Sequence, residues 1–175
     1  MIVYKTDEEI RGIRESSRMV AKILGELRPM IQQGARTNDL DAFAEKRARE
    51  LGARPAFKGY RGYPSSLCIS INEEIIHGIP SPRTIRDGDL VSLDFGVLYN
   101  GFYGDAARTY AVGAVSPQAL DLMTTAERAF DKGLERMTEG NRISDISAAV
   151  QEYVEARGFS VIRSFVGHGI GRALH

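Results

Sequence analysis

The sequence predicts a mixed α/β (α+β) fold, and three observations support this prediction. Residues 90–110 form two apolar-rich runs around Asn100-Gly101, the dipeptide that most readily adopts the positive φ angles of a two-residue hairpin turn. Apolar residues recur at helical spacing in one pair of segments before this hairpin and in a second pair after it. Corresponding positions in the two pairs of segments are separated by the same number of residues. We therefore expect a single domain, residues 1–175, in which helices pack on an antiparallel sheet.

The first pair of helices is delimited by capping residues. Thr6 and Glu9 have the spacing of a capping box. A helix is expected over about 7–33, with a bend at Pro29 and an end at Gly34. Asn38 is expected to cap the second helix, and Gly52 to end it.

The second pair of helices and two short strands complete the predicted elements. Ser116 followed by Pro117 indicates the start of a third helix. Ser144 is expected to cap a fourth helix. Strands are expected at about 67–71 and at 160–167.

The helix stops repeat along the chain, which indicates an internal duplication. Pairs of glycines lie 106 residues apart, Gly34 with Gly140 and Gly52 with Gly158. We therefore expect two pseudo-symmetric halves, residues 1–112 and 113–175. A second copy of the hairpin would lie at about residues 196–216, so the second half is expected to be incomplete.

The hairpin register places two aspartates side by side. With Asn100 and Gly101 in the loop, paired residues have numbers that sum to 201. Asp94 and Asp105 then lie on one face of the hairpin as diagonal neighbours. The first strand's other face is apolar and is expected to pack, through Val91, Leu93, Phe95 and Val97.

Two such carboxylates repel each other and lose hydration, so a compensating charge is required. Divalent cations provide it, and oxygen ligands at this separation can bridge two of them. Two alternatives remain open at this point. The hairpin can be a solvated edge with surface aspartates, or the carboxylates can pair with Arg108 or another arginine.

The composition excludes several classes of partner. Lys plus Arg equals Asp plus Glu at 23 each, with pI near 6.8, so no basic surface for nucleic acid or an anionic membrane is indicated. Cys68 is the only cysteine, which favours a reducing compartment. No apolar run approaches the length of a membrane span. The predicted location is the cytoplasm.

The three histidines are the remaining candidates for chemistry. His77, His168 and His175 lie near glycines, and glycine permits the close backbone approach that a ligand at a strand end needs. The glycine spacing around His168 lacks a following helix or lysine, so a phosphate loop is not supported. A glycine-rich turn with a solvated histidine is the alternative.

Three segments resemble the type I methionine aminopeptidase family, in the short form found in bacteria. They read YRGYPSSLCISINEEIIHGIP, LDFGVLYNGFYGDAARTY and FVGHGIGRALH, and they occur in the family's order. The resemblance implies the pita-bread fold, with two pseudo-symmetric halves around a dinuclear metal site, which agrees with the repeat. It also implies a hydrolase that removes the initiator methionine from nascent polypeptides.

The resemblance implies a role for each candidate ligand. Asp94 resembles the bidentate ligand of one metal, Asp105 the carboxylate that bridges both, and His168 the single imidazole ligand. The cofactors implied are two divalent ions, Co, Mn, Fe or Zn. The implied reaction is attack on the first peptide bond by a water that the metals acidify, while they polarise the carbonyl.

The resemblance also implies the residues that contact the substrate. His175 resembles the residue that hydrogen-bonds the carbonyl oxygen as it gains negative charge, and His77 the one that contacts the scissile amide. Tyr60, Tyr63 and Cys68 match positions around the pocket for the methionine side chain.

The sequence departs from the family at several of these positions. Arg61 replaces a common histidine, Phe57 replaces a cysteine of some relatives, and Ala173-Leu174 replaces Gly-Phe. Two glutamate ligands and a pocket aromatic are expected after His175. With three of five ligands, poor hydrolysis of Met-Ala-Ser is expected.

Two other functions remain open. One is a proline-directed aminopeptidase of the same superfamily. The other is a non-catalytic domain that binds a partner such as the ribosome. For the leading hypothesis we expect a monomer that acts on nascent chains without recognising nucleic acid or membrane.

Overall fold

The computed structural model describes residues 3–175, which form two compact units. One unit contains the chain up to Val115 together with His168–His175, and the other is Ser116–Gly167. The last eight residues therefore belong with the first unit, whereas the predicted halves divide the chain at residue 112. The predicted pseudo-symmetry of the halves stays a prediction.

Two helices come first, four strands follow, and two further helices complete the described elements. They are α1 Asp7–Leu27, α2 Thr37–Glu50, β1 Arg54–Pro55, β2 Leu67–Ile71, β3 Leu90–Tyr99, β4 Phe102–Ala111, α3 Pro117–Leu134 and α4 Ile143–Glu155. Two single-turn 3₁₀ helices cover Arg28–Met30 and Tyr60–Gly62. None of the helices in this described part of the chain is long and apolar enough to cross a membrane.

The sheet is antiparallel, with β3 at its centre. Strand β4 pairs with β3 along its whole length, while β1 and β2 pair with different parts of β3. The register confirms the prediction from the turn, because Gly96 is opposite Asp105 and Asp94 is opposite Ala107. Asn100 has φ +50° and the next residue +81°, the conformation that this turn requires.

One face of the hairpin forms the main core with α1 and α2. The predicted packed residues are all 0% exposed: Val91, Leu93, Phe95 and Val97. Helix α1 lies close against β4 at Gly104, where a Cβ atom would be 2.5 Å from the Ser16 carbonyl carbon. The Ser16 hydroxyl donates a hydrogen bond to the Phe102 carbonyl at 2.9 Å.

The ends of α1 and α3 follow local signals. Thr6 and Glu9 form the predicted capping box of α1, and the Ser116 hydroxyl accepts the Ala119 N–H at 3.1 Å. The prediction that α1 continues to residue 33 is wrong. Pro29 has no N–H to continue the hydrogen-bond ladder, so the helix tightens there into a 3₁₀ turn.

The predicted N-caps of α2 and α4 each lie two residues after the observed N-cap. Arg36 and Arg142 occupy the capping positions, in place of Asn38 and Ser144. At α2 the tertiary structure supplies the acceptors, because the N–H groups of residues 37 and 38 donate to backbone carbonyls of residues 83 and 81, both at 3.0 Å. The first residues of α2 and α4, 37 and 143, are nevertheless 106 positions apart, as the repeat predicts.

The second unit consists of the α3–α4 hairpin and the chain that follows it. The helices approach closely at Gly133, where a Cβ would lie 3.1 Å from Val150. The predicted strand over 160–167 is wrong, since this segment has no regular structure. A strand requires a neighbour for its backbone groups, and none of the described strands pairs with this segment.

Candidate functional site

The site face of the β3–β4 hairpin brings Asp94 and Asp105 together. The register makes them diagonal neighbours, close enough for the charge of Asp105 to raise the pKa of Asp94, and the Asp105 side chain is 19% exposed. Burial, and then the charge of Asp105, raises the pKa of Asp94 to about 7. Burial also raises the pKa of Asp105, against the opposing effect of nearby histidines. The pair therefore favours a shared proton or a bound cation.

Neither alternative for the aspartates agrees with this geometry. A solvated edge does not, because only 19% of the Asp105 side chain is exposed and Asp94 is half-buried. No arginine of the described chain is among the groups that shift the pKa of Asp94 or Asp105. Arg108 in particular is opposite Leu93 in the register, so its side chain projects from the packed face of the hairpin. The two aspartates are consequently better explained as ligands of a bound cation than as one half of a salt bridge.

His168 lies beside Asp105. Its Nε2 atom is 3.8 Å from Asp105 Oδ2. Two ligand atoms roughly 2.1 Å from one ion are up to about 4.2 Å apart, so this spacing fits a shared ion. Within residues 3–175, however, no group of three or more His, Cys, Asp or Glu side chains has the arrangement of a bound metal.

Within the first unit, contacts with β4 and α1 hold the segment His168–His175 in place. The Tyr103 N–H donates to the Gly171 carbonyl at 2.8 Å. Arg172 pairs with Glu9 at 3.2 Å, and its guanidinium lies 4.5 Å from the centre of the Phe102 ring. This anchor could not be predicted from the sequence, since its residues are more than 60 positions apart and no local pattern links them.

His175 is oriented by Tyr60. The Tyr60 hydroxyl and His175 Nδ1 are hydrogen-bonded at 3.0 Å, and the His175 ring lies 4.1 Å from the His168 ring between centres. Burial, followed by the charges of His168 and Arg61, lowers the pKa of His175. The structure thus gathers His175, His168 and Tyr60 beside the carboxylates.

An apolar cluster lies next to this group. Cys68 is opposite Asp94 in the β2–β3 register, so its side chain is on the site face. Its buried neighbours are Ala56, Phe57 and Leu174, with Tyr60, Tyr63, Tyr103 and Ile170 packed around them. Burial raises the pKa of the Cys68 thiol to about 11, so it behaves as a small apolar group. Phe57 and Leu174, two departures from the family, are part of this cluster.

Tyr63 and His77 are positioned by the backbone around β2. The Tyr63 hydroxyl donates to the Gly78 carbonyl at 2.9 Å, and the Leu67 carbonyl is 3.2 Å away. Burial raises the pKa of Tyr63. His77 has φ +60° and lies close enough for its charge to lower the pKa of His175. The hydroxyl of Tyr63 is therefore engaged with the backbone, while its ring flanks the apolar cluster.

A cavity of about 410 Å³ opens on the same face, towards the hairpin turn. Its lining includes Tyr60 and Tyr103, and three cationic side chains that sequence analysis missed: Arg49, Arg54 and Lys58. These cations come from α2, from β1 and from the loop that follows it. No local motif could have revealed them.

Comparisons with known proteins agree with this arrangement. The profile of metallopeptidase family M24 matches residues 11–175. A methionine aminopeptidase of Clostridium acetobutylicum is 47% identical over the whole chain, which covers 70% of that relative. Methionine aminopeptidase 1 of Bacillus subtilis is 46% identical, with 100% of this chain and 71% of the relative covered.

Solved structures give the same result. Methionine aminopeptidase from Thermotoga maritima superposes with a TM-score of 0.97 at 40% identity, covering 100% of this chain and 71% of the other. Prolidase from Pyrococcus furiosus has a TM-score of 0.85 at 26% identity, covering 98% of this chain and 50% of the other. Both share the pita-bread fold that the resemblance implies. The chain belongs to metallopeptidase family M24.

Proposed function

We propose that this chain removes the N-terminal methionine from polypeptides by metal-dependent hydrolysis of the first peptide bond. The relatives at 46–47% identity are named methionine aminopeptidases, whereas the prolidase similarity is at 26%. The observation that supports the proposal is the approach of His168 to Asp105 of the half-buried Asp94–Asp105 pair, with the His175 ring next to that of His168. Nascent chains as substrates, action near the ribosome, a monomeric state and a cytoplasmic location rest on the resemblance alone.

The metal ligands in this proposal are Asp94, Asp105 and His168. Family membership implies divalent ions, and the buried carboxylates need a compensating positive charge. Mostly oxygen donors with one nitrogen suit Mn, Fe(II), Co or Zn, and we propose two such ions. When bound, they would acidify water and polarise the substrate carbonyl.

His175 is proposed to stabilise the carbonyl oxygen as negative charge develops on it. The hydrogen bond between the Tyr60 hydroxyl and Nδ1 of His175 fixes the ring, so Nε2 is the nitrogen available to the substrate. The short distance between the His175 and His168 rings supports this role, because His168 is one of the proposed ligands. A preoriented donor in this position costs no reorganisation during the reaction.

The substrate's methionine side chain is proposed to occupy the apolar cluster. An unbranched thioether packs well against Cys68, Phe57 and Leu174, and sulfur–aromatic contacts with Tyr60 or Tyr63 add to the attraction. His77 is proposed to contact the scissile amide, where it positions the substrate or donates a proton.

The proposal is tested by measuring free methionine released from Met-Ala-Ser. The chain is first stripped with EDTA, and Mn is then added back stepwise. We expect slow release that requires Mn and stops on chelation, and Asp105→Asn should abolish it by removing a carboxylate ligand. Asp131→Asn, on the exposed surface of α3, is the matched control and should retain the wild-type rate.

Release that persists with excess EDTA, or in Asp105→Asn, would show that the pair is not the metal site. Absence of release by a chain that binds Mn, measured by calorimetry, would favour the non-catalytic domain. Faster release of the first residue from an Xaa-Pro peptide than from Met-Ala-Ser would favour the proline-directed reaction.

A further inference from the structure

The backbone at His77 is unusual and needs an explanation. His77 has φ +60°, a left-handed conformation that few non-glycine residues adopt. The apolar side chains of its loop do not fix the path of the chain by burial, since Ile75, Ile76 and Ile79 are 60%, 39% and 58% exposed. Such a conformation persists when surrounding structure holds it.

The next residue, Gly78, is fixed tightly on the edge of β2. Its carbonyl accepts both the Ile69 N–H and the Tyr63 hydroxyl, each at 2.9 Å. Its N–H donates to the Ser70 hydroxyl oxygen at 3.1 Å. A Cβ atom at Gly78 would meet the Ile69 carbonyl oxygen, so only glycine lies this close. We call Tyr63, Ile69, Ser70 and Gly78 the Gly78 clamp.

The clamp links His77 to the candidate metal ligands through one strand. His77 is bonded directly to Gly78, and β2 pairs with β3 so that Cys68 is opposite Asp94. Strand β2 therefore helps to position both Asp94, through its pairing with β3, and the backbone of His77, through Gly78. His168 and His175 are held by a different set of contacts, those of Arg172 and Tyr103.

We propose that Tyr63 and Ser70 are positioning residues that act through Gly78 to hold His77 over the site. Tyr63 then contributes its hydroxyl to the backbone and its ring to the apolar cluster, instead of binding the substrate through a polar contact. The consequence for the reaction rests on the proposed function. The mechanical link between Tyr63, Ser70 and His77 does not, and can be tested separately.

The first test is spectroscopic. The chain has three histidines, so single His→Asn variants assign each imidazole Cε1–H signal by NMR. We expect Tyr63→Phe and Ser70→Ala to shift or broaden the His77 signal while the other two stay in place. The matched control is Tyr110→Phe, which removes a hydroxyl bonded to the Leu24 carbonyl at 3.4 Å in the core. It should leave all three signals unchanged.

Hydrogen exchange gives a second structural readout. The Ile69 N–H donates to the carbonyl that Tyr63 also contacts. Its exchange should accelerate about fivefold in Tyr63→Phe, the factor expected for losing one typical hydrogen bond, and stay unchanged in Tyr110→Phe. An unchanged His77 signal together with unchanged Ile69 exchange in both clamp variants would overturn the proposal.

The third test uses Met-Ala-Ser hydrolysis. Tyr63→Phe should lower kcat about tenfold or more with KM within about twofold, because a misplaced acid or positioning group affects the chemical step. In a His77→Ala background the same change should have no further effect. An equal loss of kcat in both backgrounds would contradict action through His77. If the chain releases no methionine, the proposed function fails and the two structural readouts still decide the clamp.

Discussion

The two faces of the β3–β4 hairpin are built from the same strands but differ in polarity and in burial. On the packed face the four alternate residues of β3 from Val91 to Val97 are fully buried against the helical layer. On the site face the alternation makes Asp94 and Asp105 diagonal neighbours, and pairs the Ser92 and Thr109 hydroxyls at 2.8 Å.

The packed face stabilises the fold, whereas the site face carries the groups suited to chemistry. Burial of apolar surface on the packed face favours folding. Burial on the site face raises the pKa of both aspartates, so the ionised pair costs stability until a cation compensates it. Active sites commonly reduce stability in this way. Changes on the two faces should consequently have opposite effects on stability.

The largest effect is expected from Phe95→Ala on the packed face. Phe95 is fully buried, and truncation of such a side chain typically costs about 3–5 kcal/mol, from lost burial and the cavity that remains. Urea denaturation measures the loss. Phe130→Ala, at a side chain that is 65% exposed on α3, is the matched control and should cost less than about 1 kcal/mol. Similar losses in both variants would contradict the assignment of the packed face.

A smaller loss is expected from Gly104→Ala, which tests the contact between α1 and β4. The added Cβ would lie 2.5–2.8 Å from backbone atoms of Ser16 and Ser17, which cannot move as a side chain can. Overpacking of this kind costs about 1–3 kcal/mol. Gly25→Ala, in α1 with no atom within 4 Å of the new Cβ, should instead stabilise by about 0.5–1 kcal/mol. A gain in stability from Gly104→Ala would show that α1 can move away at no cost.

The smallest effect, with the opposite sign, is expected from Asp94→Asn on the site face. Removing one of two buried like charges should stabilise the metal-free chain by about 1 kcal/mol at neutral pH. The same change should abolish the rise in Tm that added Mn produces in the wild type by binding to the folded state. Both quantities come from thermal denaturation with EDTA and with Mn. A lower Tm in EDTA, or an undiminished response to Mn, would contradict a cation site at this pair.

Features that depend on residues close along the chain were predictable. The Asn100-Gly101 turn defined the register of two ten-residue strands, and from it the contact between Asp94 and Asp105. The capping box at Thr6 was equally local. Motif resemblance added His168, His175 and Tyr60, which the structure brings together, although their chemical roles stay predictions.

Long-range contacts decided the remaining features. The start of α2 depends on carbonyls about 45 residues away, and the placement of His168 and His175 depends on Arg172 reaching Glu9. Segment 160–167 has the composition of a strand, but none of the described strands pairs with it. A local pattern specifies which backbone conformation is favourable for a segment. The partners that satisfy its hydrogen bonds and charges come from elsewhere in the chain, and only folding brings them within reach.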